Sequence, residues 1–179
     1  MQKRVLLLTG APGVRKTSVL INTANSLKAQ GVTVGGMISR EAREGNVRVG
    51  FKIIDLTDDK QGWLAHVNQK SGPQVGKYRV NLQDLENIGA KAIVEAVEKC
   101  AVVAVDEIGP MELFSQRFKQ AVRQALDSRK LVLAVVHEKA KDPLINEAKQ
   151  REDAEIFTVT LANRDAITEK LRKQALSVL

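Results

Sequence analysis

Cysteine, aromatic residues and long apolar runs are scarce in this chain of 179 residues. Cys100 is the single cysteine, and aromatic residues account for only 3% of the sequence. One cysteine excludes an intramolecular disulfide and is typical of a reducing compartment. No apolar run reaches the roughly 20 residues of a membrane helix, and Val5–Leu8 is too short for the apolar region of a signal peptide. We therefore expect a cytoplasmic protein that does not span a membrane.

The charge of the chain favours an anionic partner. Lysine and arginine number 28 against 21 acidic residues, which gives a formal net charge of +7. Such an excess suits a nucleotide or a nucleic acid. However, the basic residues are interleaved with acids, and one Trp, one Tyr and four Phe leave little material for stacking bases. A nucleotide is therefore the preferred ligand, and nucleic acid is the less favoured alternative.

The most informative stretch is the segment GAPGVRKTS, residues 10–18. It follows an apolar strand-like run and opens a helical pattern, which is the context of a phosphate-binding P-loop. Backbone N–H groups and the helix dipole concentrate positive potential there. Lys16 supplies a full charge to the β- and γ-phosphates, and the Thr17 hydroxyl is a ligand for Mg²⁺. The residues predicted to bind the nucleotide here are Gly10, Ala11, Pro12, Gly13, Val14, Arg15, Lys16, Thr17 and Ser18.

Arg15 departs from the P-loop pattern G-x-x-x-x-G-K-[ST], which has a glycine at this position. Glycine reaches backbone conformations that are closed to other residues. Arg15 instead brings a Cβ atom and a long side chain against the phosphates. We therefore predict a slow enzyme. The alternative is an inactive nucleotide-binding module, in which Arg15 has disabled the loop.

Alternating strand-like and helical stretches predict an α/β fold, a three-layer sandwich with a largely parallel sheet. The length suits a single domain covering residues 1–179. Between residues 32 and 80, short β-like stretches separated by turns predict an insert of antiparallel hairpins. The remaining strands are predicted at residues 4–9, 101–105, 131–136 and 156–161. Helices are predicted near residues 17–30, 81–99, 114–128, 143–151 and 163–178, with Asn81 and Asn163 as N-caps.

A second motif ends the predicted strand at residues 101–105. An apolar run followed by Asp106 is typical of a Walker B strand, in which the carboxylate holds Mg²⁺ from the side opposite Thr17. Glu107 points differently and can deprotonate a water molecule in line with the γ-phosphate, which favours hydrolysis over transfer to an acceptor. A helix-capping Asp106 and a surface Glu107 are the structural alternatives. The residues predicted to contact the nucleotide here are Val102, Val103, Ala104, Val105, Asp106, Glu107, Ile108 and Gly109.

Five further residues are weaker candidates. Arg40 and Arg43 lie at a strand edge, where either one can reach a phosphate as an arginine finger or serve only as surface charge. His137 ends a buried strand and can sense the γ-phosphate or be an ordinary strand-end residue. Asn163 and Arg164 are placed to contact a base or ribose, although a helix cap explains Asn163 without a ligand.

The segment VDEIGPMELFS, residues 105–115, resembles the hallmark of the cancer-related nucleoside-triphosphatase family, which is found in archaea, bacteria and animals. The agreement covers nearly the whole chain, through segments at residues 10–17, 39–43, 49–51, 75–81 and 163–164. The resemblance implies a RecA-like P-loop NTPase fold and Mg²⁺-dependent hydrolysis of ATP, GTP, CTP and UTP with little base preference. Pro110 stands where some members carry a lysine, so the charge of that lysine is absent.

Two other activities are compatible with the sequence. A nucleotide or small-molecule kinase shares the loop, but it needs an acceptor pocket and usually an arginine-rich lid, and no such lid is seen. An RNA-linked NTPase is suggested by the charge alone. The sequence does not specify an oligomeric state.

Overall fold

The computed structural model describes residues 1–179 and contains one mixed sheet of nine strands. The strands in chain order are β1 (Val5–Thr9), β2 (Val34–Glu44), β3 (Val47–Asp55), β4 (Gln61–His66), β5 (Gln74–Val75), β6 (Tyr78–Val80), β7 (Val102–Ile108), β8 (Leu131–Val136) and β9 (Ala154–Thr158). The helices are α1 (Lys16–Ala29), α2 (Leu82–Asp84), α3 (Lys91–Lys99), α4 (Gln116–Asp127), α5 (Pro143–Gln150) and α6 (Arg164–Val178), with a π-helical turn at Leu85–Ala90 and a 3₁₀ turn at Glu112–Phe114. None of these helices has the length and apolar character required to cross a membrane.

Five parallel strands form the half of the sheet that the helices cover, in the order β2-β7-β8-β1-β9. Neighbouring residues of β7 point to opposite faces of this sheet. Val103 and Val105 join the core under α3, α4 and α5, whereas Val102 and Ala104 join the core under α1 and α6. Burial on both faces explains why the strand is a continuous apolar run. The arrangement confirms the predicted three-layer α/β sandwich.

The antiparallel strands continue the same sheet, in the order β5-β6-β4-β3-β2. Residues Val34–Met37 of β2 pair in parallel with β7, whereas the rest of β2 pairs antiparallel with β3. The strand is long enough for both neighbours, with a buried first half and a largely exposed second half. The insert predicted at residues 32–80 therefore begins inside a strand of the parallel sheet, and the strands that are wholly antiparallel are β3 to β6.

Two element boundaries near the cleft differ from the prediction in detail. The helix predicted at residues 81–99 consists of α2, the π-helical turn and α3 in succession, and Asn81 caps it by accepting a hydrogen bond from the Asp84 N–H at 3.0 Å. The last strand ends three residues earlier than predicted, because the Thr160 N–H donates to Asn163 Oδ1 at 2.7 Å and turns the chain. The Asn163 side chain is occupied in this loop and makes no capping bond to α6, contrary to the prediction.

A cluster of charged residues beside β9 is expected to stabilise the fold. Asp153 is buried, and its carboxylate contacts Arg4 Nη2 at 2.7 Å and Arg151 Nε at 2.9 Å. Burial acts to raise the pKa of Asp153, but the hydrogen bond from Arg151 and the charge of Arg4 outweigh it and hold the pKa below its ordinary value. We expect Asp153→Asn to lower the free energy of unfolding by about 1.5–3 kcal/mol at neutral pH, the usual contribution of hydrogen bonds to a charged group.

Urea denaturation of both proteins, at neutral pH and near pH 3, measures this loss. The folded-state pKa of Asp153 is lower than the unfolded value of about 3.9. Its stabilisation is therefore complete above that value and is lost as the pH falls through the folded-state pKa. The difference between parent and variant should shrink in acid. Asp165→Asn, at a fully exposed side chain, is the control; equal stability of Asp153→Asn and this control at neutral pH would contradict the assignment.

Candidate nucleotide-binding site

The carboxyl ends of the parallel strands open into one cleft of about 1150 Å³. Its lining combines the loop between β1 and α1, Asp106 and Glu107 on β7, His137 after β8, and Arg164 at the start of α6. Crevices at this end of the strands are the usual ligand sites of open α/β sheets. Motifs from distant parts of the chain therefore meet in one place.

The loop before α1 has the geometry of an anion cradle. Gly10 has a φ of +150°, and a Cβ atom on it would lie 2.5 Å from the Val159 carbonyl oxygen, so a side chain does not fit. Lys16 Nζ donates to the Gly10 carbonyl oxygen at 2.6 Å, which folds the lysine over the loop. The first turn of α1 carries no acidic residue, so its unpaired N–H groups and the helix dipole are available to an anion. Ala11 and Val14 do not line the cleft. The predicted loop residues that do are Gly10, Pro12, Gly13, Arg15, Lys16, Thr17 and Ser18.

Arg15 occupies the N-cap position of α1 in a left-handed conformation, with φ of 68° and ψ of 45°. This conformation costs a residue with a Cβ atom about 1–2 kcal/mol, which is a physical reason for glycine in the P-loop pattern. The side chain is exposed, makes no capping hydrogen bond and lines the cleft. The guanidinium is thus available to an anion while the backbone is strained.

Asp106 is an acid with only 2% of its surface exposed. Its Oδ2 atom has no hydrogen-bond partner. Burial raises the pKa of Asp106 to about 7, although a hydrogen bond with the Thr17 hydroxyl opposes the rise. A buried carboxylate oxygen without a partner is costly unless a cation neutralises it. Asp106 and Thr17 therefore fit Mg²⁺, a hard cation that prefers oxygen ligands.

Two further acids lie next to each other at the end of β7. Burial raises the pKa of Glu107, whereas the charges of His137 and Lys16 lower it. Glu112 is 2% exposed, and burial together with the charge of Glu107 raises its pKa well above the ordinary value. Gly109 leaves room for both carboxyl groups, because a Cβ atom there would lie 2.7 Å from Glu107 Oε1 and 3.1 Å from Glu112 Oε2.

Glu112 is a buried acid of the cleft that the sequence did not reveal. It belongs to the hallmark segment, but its position in that segment assigns it no role. The available signal was a single acid between the apolar residues Met111 and Leu113, since acids are rarely buried without a partner or a function. In the folded chain, the 3₁₀ turn after β7 places Glu112 in the cleft beside Glu107.

Of the two candidate arginines, one lines the cleft. Arg40 belongs to its lining. Arg43 instead contacts Glu41 Oε2 at 3.1 Å and donates to the Asn46 carbonyl oxygen at 3.1 Å, and it does not line the cleft. Arg40 is therefore the candidate arginine that the fold brings to the cleft.

Of the other three weak candidates, two line the cleft and one does not. His137 lines the cleft, and its Nδ1 atom accepts N–H groups from Lys139 at 3.1 Å and Ala140 at 2.9 Å. In the neutral ring the proton is therefore on Nε2. Arg164 lines the cleft at the start of α6. Asn163 hydrogen-bonds within its own loop and is not part of the lining.

The structure corrects the prediction that the body of β7 contacts the nucleotide. The residues with no exposed surface in this strand are Val102, Val103, Ala104, Val105 and Ile108. Helices cover both faces of the strand, so only Asp106 and Glu107 reach the cleft. Gly109 is buried as well and provides space for neighbouring carboxyl groups.

A glycine-bearing loop at a helix N-terminus, facing a buried acid at the end of a strand two positions away, is the arrangement of P-loop nucleotide-binding proteins. Comparisons with known proteins agree with this class. A family model described as NTPase matches residues 5–172. The chain is 46% identical to nucleoside-triphosphatase THEP1 of Thermofilum pendens, over 100% of this chain and 99% of that protein. It is 45% identical to nucleoside-triphosphatase THEP1 of Methanosarcina acetivorans, over 97% and 98% of the two chains.

Two solved structures share the fold. The crystal structure of THEP1 from Aquifex aeolicus has a TM-score of 0.81 and 30% identity, over 93% of this chain and 96% of that chain. The solution structure of a human cancer-related nucleoside triphosphatase has a TM-score of 0.83 and 34% identity, over 97% and 98%. The chain therefore belongs to this family of nucleoside-triphosphatases. The resemblance seen in the sequence, and the P-loop fold expected from it, are confirmed.

Proposed function

We propose that this protein hydrolyses nucleoside 5′-triphosphates to the diphosphate and phosphate, in a reaction that needs Mg²⁺ and discriminates little between bases. The observation that carries the proposal is the unpartnered Oδ2 atom of buried Asp106, beside the Thr17 hydroxyl. An anion-binding loop alone would suit many phosphate ligands. A buried acid next to it implies that a cation binds together with the phosphates, and the relatives named nucleoside-triphosphatase support the same reaction.

The loop and α1 bind the phosphate chain. Backbone N–H groups of the loop and of the first helical turn donate to the phosphate oxygens. Lys16 exchanges its bond to the Gly10 carbonyl for the β- and γ-phosphates, where a full charge stabilises the transition state. Thr17 and Asp106 would hold Mg²⁺, which when bound neutralises charge on the phosphates.

Glu107 is the proposed general base. It lies one residue beyond Asp106, is half-buried and lines the cleft together with the loop before α1. Its carboxylate accepts a hydrogen bond from a water molecule and takes the proton as the water oxygen bonds to the γ-phosphorus. The bond from that phosphorus to the β–γ bridging oxygen breaks, and the nucleoside diphosphate leaves with the electron pair. Arg40 lies on β2, on the side of β7 opposite the phosphate loop. We propose it as the arginine that stabilises the negative charge developing on the phosphates in the transition state.

Broad base specificity is the first testable part of the proposal. The sequence has no N/T-K-x-D segment with which to recognise guanine. We expect kcat/KM for ATP, GTP, CTP and UTP to agree within about two decades, or roughly 2.7 kcal/mol. Phosphate release by the purified protein, with Mg²⁺ and with EDTA, measures this. Preference for one purine beyond that range, or hydrolysis that EDTA does not reduce, would contradict the proposal.

Arg15 is expected to slow the enzyme. Its guanidinium adds charge near an anion, but its backbone is held in a left-handed conformation that a Cβ atom disfavours. Phosphoryl transfer depends mainly on positioning, so geometry should outweigh the added charge. We expect Arg15→Gly to raise kcat/KM for ATP by at least about tenfold, equal to about 1.4 kcal/mol.

Steady-state hydrolysis of ATP by parent and Arg15→Gly, under identical Mg²⁺ and salt, measures this effect. Arg15→Ala is the matched control, since it removes the guanidinium and keeps the Cβ atom. We expect this variant to remain slow. Equal rates for parent and Arg15→Gly would show that the loop tolerates arginine.

Further parts of the proposal concern the whole chain. We propose a single domain, because all nine strands belong to one sheet. A cytoplasmic location is supported by the single free cysteine, which is buried. Nucleoside triphosphates are the proposed partners, and nucleic acid is not favoured.

A further inference from the structure

The cleft extends well beyond the carboxyl groups at the end of β7. The residues lining its far part are Phe51 of β3, Leu64 of β4, Val75 of β5 and Met111. Neighbouring strands lie about 4.8 Å apart, so β7 is about 10 Å from β1, and β3 is about 10 Å further in the same direction. Glu107 therefore stands between the phosphate loop and these apolar residues. We call the space lined by the four apolar residues and Glu112 the apolar chamber.

Hydrolysis does not require such a chamber, because water needs only a place beside Glu107. Phe51, Val75 and Met111 pack on the core below but keep part of their surface in the cleft. The Phe51 ring is held in place, with the Tyr78 ring at 5.2 Å between centroids and the Arg48 guanidinium at 4.9 Å from its centroid. Pre-formed apolar walls with a few polar groups are typical of sites for organic ligands.

The polar groups of the apolar chamber select an uncharged occupant with a hydroxyl group. Glu107 and Glu112 bring two carboxyl groups to its inner end, and both can hydrogen-bond a hydroxyl. The Glu107 carboxylate would repel an anion, and Arg40, which also lines the cleft, is engaged by the phosphates under the proposed function. Glu41, which pairs with Phe51 across β2 and β3, has its charge balanced by Arg48 at 3.0 Å. The apolar wall would then cover the body of the molecule.

We propose that the apolar chamber binds an uncharged organic alcohol, and that the protein transfers the γ-phosphoryl group of the triphosphate to its hydroxyl oxygen. This rests on the nucleotide site under the proposed function and adds an acceptor to it. Glu107 serves water and alcohol alike, since either nucleophile occupies the place next to its carboxylate. Hydrolysis is the reaction that occurs when the chamber contains only water.

The transfer step balances without a further reagent. The hydroxyl oxygen forms a bond to the γ-phosphorus, and the bond from that phosphorus to the β–γ bridging oxygen breaks. The bridging oxygen keeps the electron pair and leaves with the nucleoside diphosphate. Glu107 takes the hydroxyl proton and later releases it to solvent. The products are a phosphate monoester and a nucleoside diphosphate.

The test uses the purified protein with ATP and Mg²⁺, and benzyl alcohol or cyclohexylmethanol as the acceptor probe. Phosphorus NMR separates the phosphate monoester from free phosphate. 4-(Hydroxymethyl)benzoate is the matched anion, because it differs from benzyl alcohol by one carboxylate. We expect a monoester from an uncharged probe, and at least about tenfold less from the anion, within the range by which sites discriminate such ligands.

A pair of variants ties the transfer to the apolar chamber. Val75→Asp puts a charge in its wall, and we expect the ratio of monoester to free phosphate to fall by at least about tenfold. Val47→Asp makes the same change at a side chain that is 58% exposed and outside the cleft, and should leave the ratio unchanged.

The outcomes distinguish this inference from the proposed function. Release of phosphate from ATP without monoester from either uncharged probe would overturn the acceptor and leave the hydrolase intact. Monoester formation that Val75→Asp does not change would overturn the chamber as its site. Absence of both products would overturn the nucleotide site together with the acceptor.

Discussion

Glu107→Gln is expected to keep nucleotide affinity and to lose turnover by about 10²–10⁴-fold, the contribution of a general base. The amide retains the size of the carboxylate and can still hydrogen-bond a water molecule, but it does not accept the proton. Affinity should not fall, because the charge of Glu107 adds to the rise in the pKa of neighbouring Asp106. Removal of that charge favours the ionised form of Asp106, which is the form that binds a cation.

Single-turnover hydrolysis of ATP and calorimetry with a non-hydrolysable triphosphate separate the two effects for Glu107→Gln. Glu98→Gln, at an exposed position of α3, makes the same chemical change away from the cleft and should match the parent in both measurements. Turnover of Glu107→Gln at the parental rate would remove this residue from the reaction.

Lys16→Ala is expected to weaken both binding and rate, with a fall of about 10²–10³ in kcat/KM. Lys16 Nζ lies in the loop, 2.6 Å from the Gly10 carbonyl oxygen, and its charge lowers the pKa of both Asp106 and Glu107. The variant loses the ammonium group that neutralises charge on the phosphates. The same loss removes the positive charge that favours the ionised forms of Asp106 and Glu107. Both losses act in the same direction, so affinity and turnover should fall together.

Calorimetry with a triphosphate and Mg²⁺, together with steady-state rates, measures the loss in Lys16→Ala. Lys28→Ala is the matched control, because Lys28 lies in the last turn of the same helix and outside the cleft. Affinity that Lys16→Ala leaves unchanged would show that the ammonium group does not contact the phosphates.

The parts of the fold that the sequence predicted well are those where burial dictates composition. β8 was predicted at its observed residues, 131–136, because a strand covered on both faces is a continuous apolar run. The end of β9 was not, because the bond between Thr160 and Asn163 that turns the chain has no hydrophobic signature. The double role of β2 was also missed, since parallel and antiparallel pairing of one strand depends on its neighbours.

The candidate site shows the same division. Lys16, Thr17 and Asp106 were predicted from short, local patterns, and the fold brings them together in one cleft. Glu112 and the apolar chamber depend on residues from four separate segments that meet only in the folded sheet. The sequence likewise did not show which of Arg40 and Arg43 lines the cleft, because the ion pair of Arg43 with Glu41 depends on the geometry of the hairpin.

Isotope transfer from labelled water tests the central claim, that water attacks the γ-phosphorus in this cleft with Glu107 as the base. ATP and Mg²⁺ are incubated with the parent protein in water enriched in ¹⁸O, and the products are analysed by mass spectrometry. The account predicts one solvent oxygen in the released phosphate, none in ADP, and a rate of labelling that falls by about 10²–10⁴-fold in Glu107→Gln. Label in ADP, or labelling of phosphate at the same rate in both proteins, would contradict it.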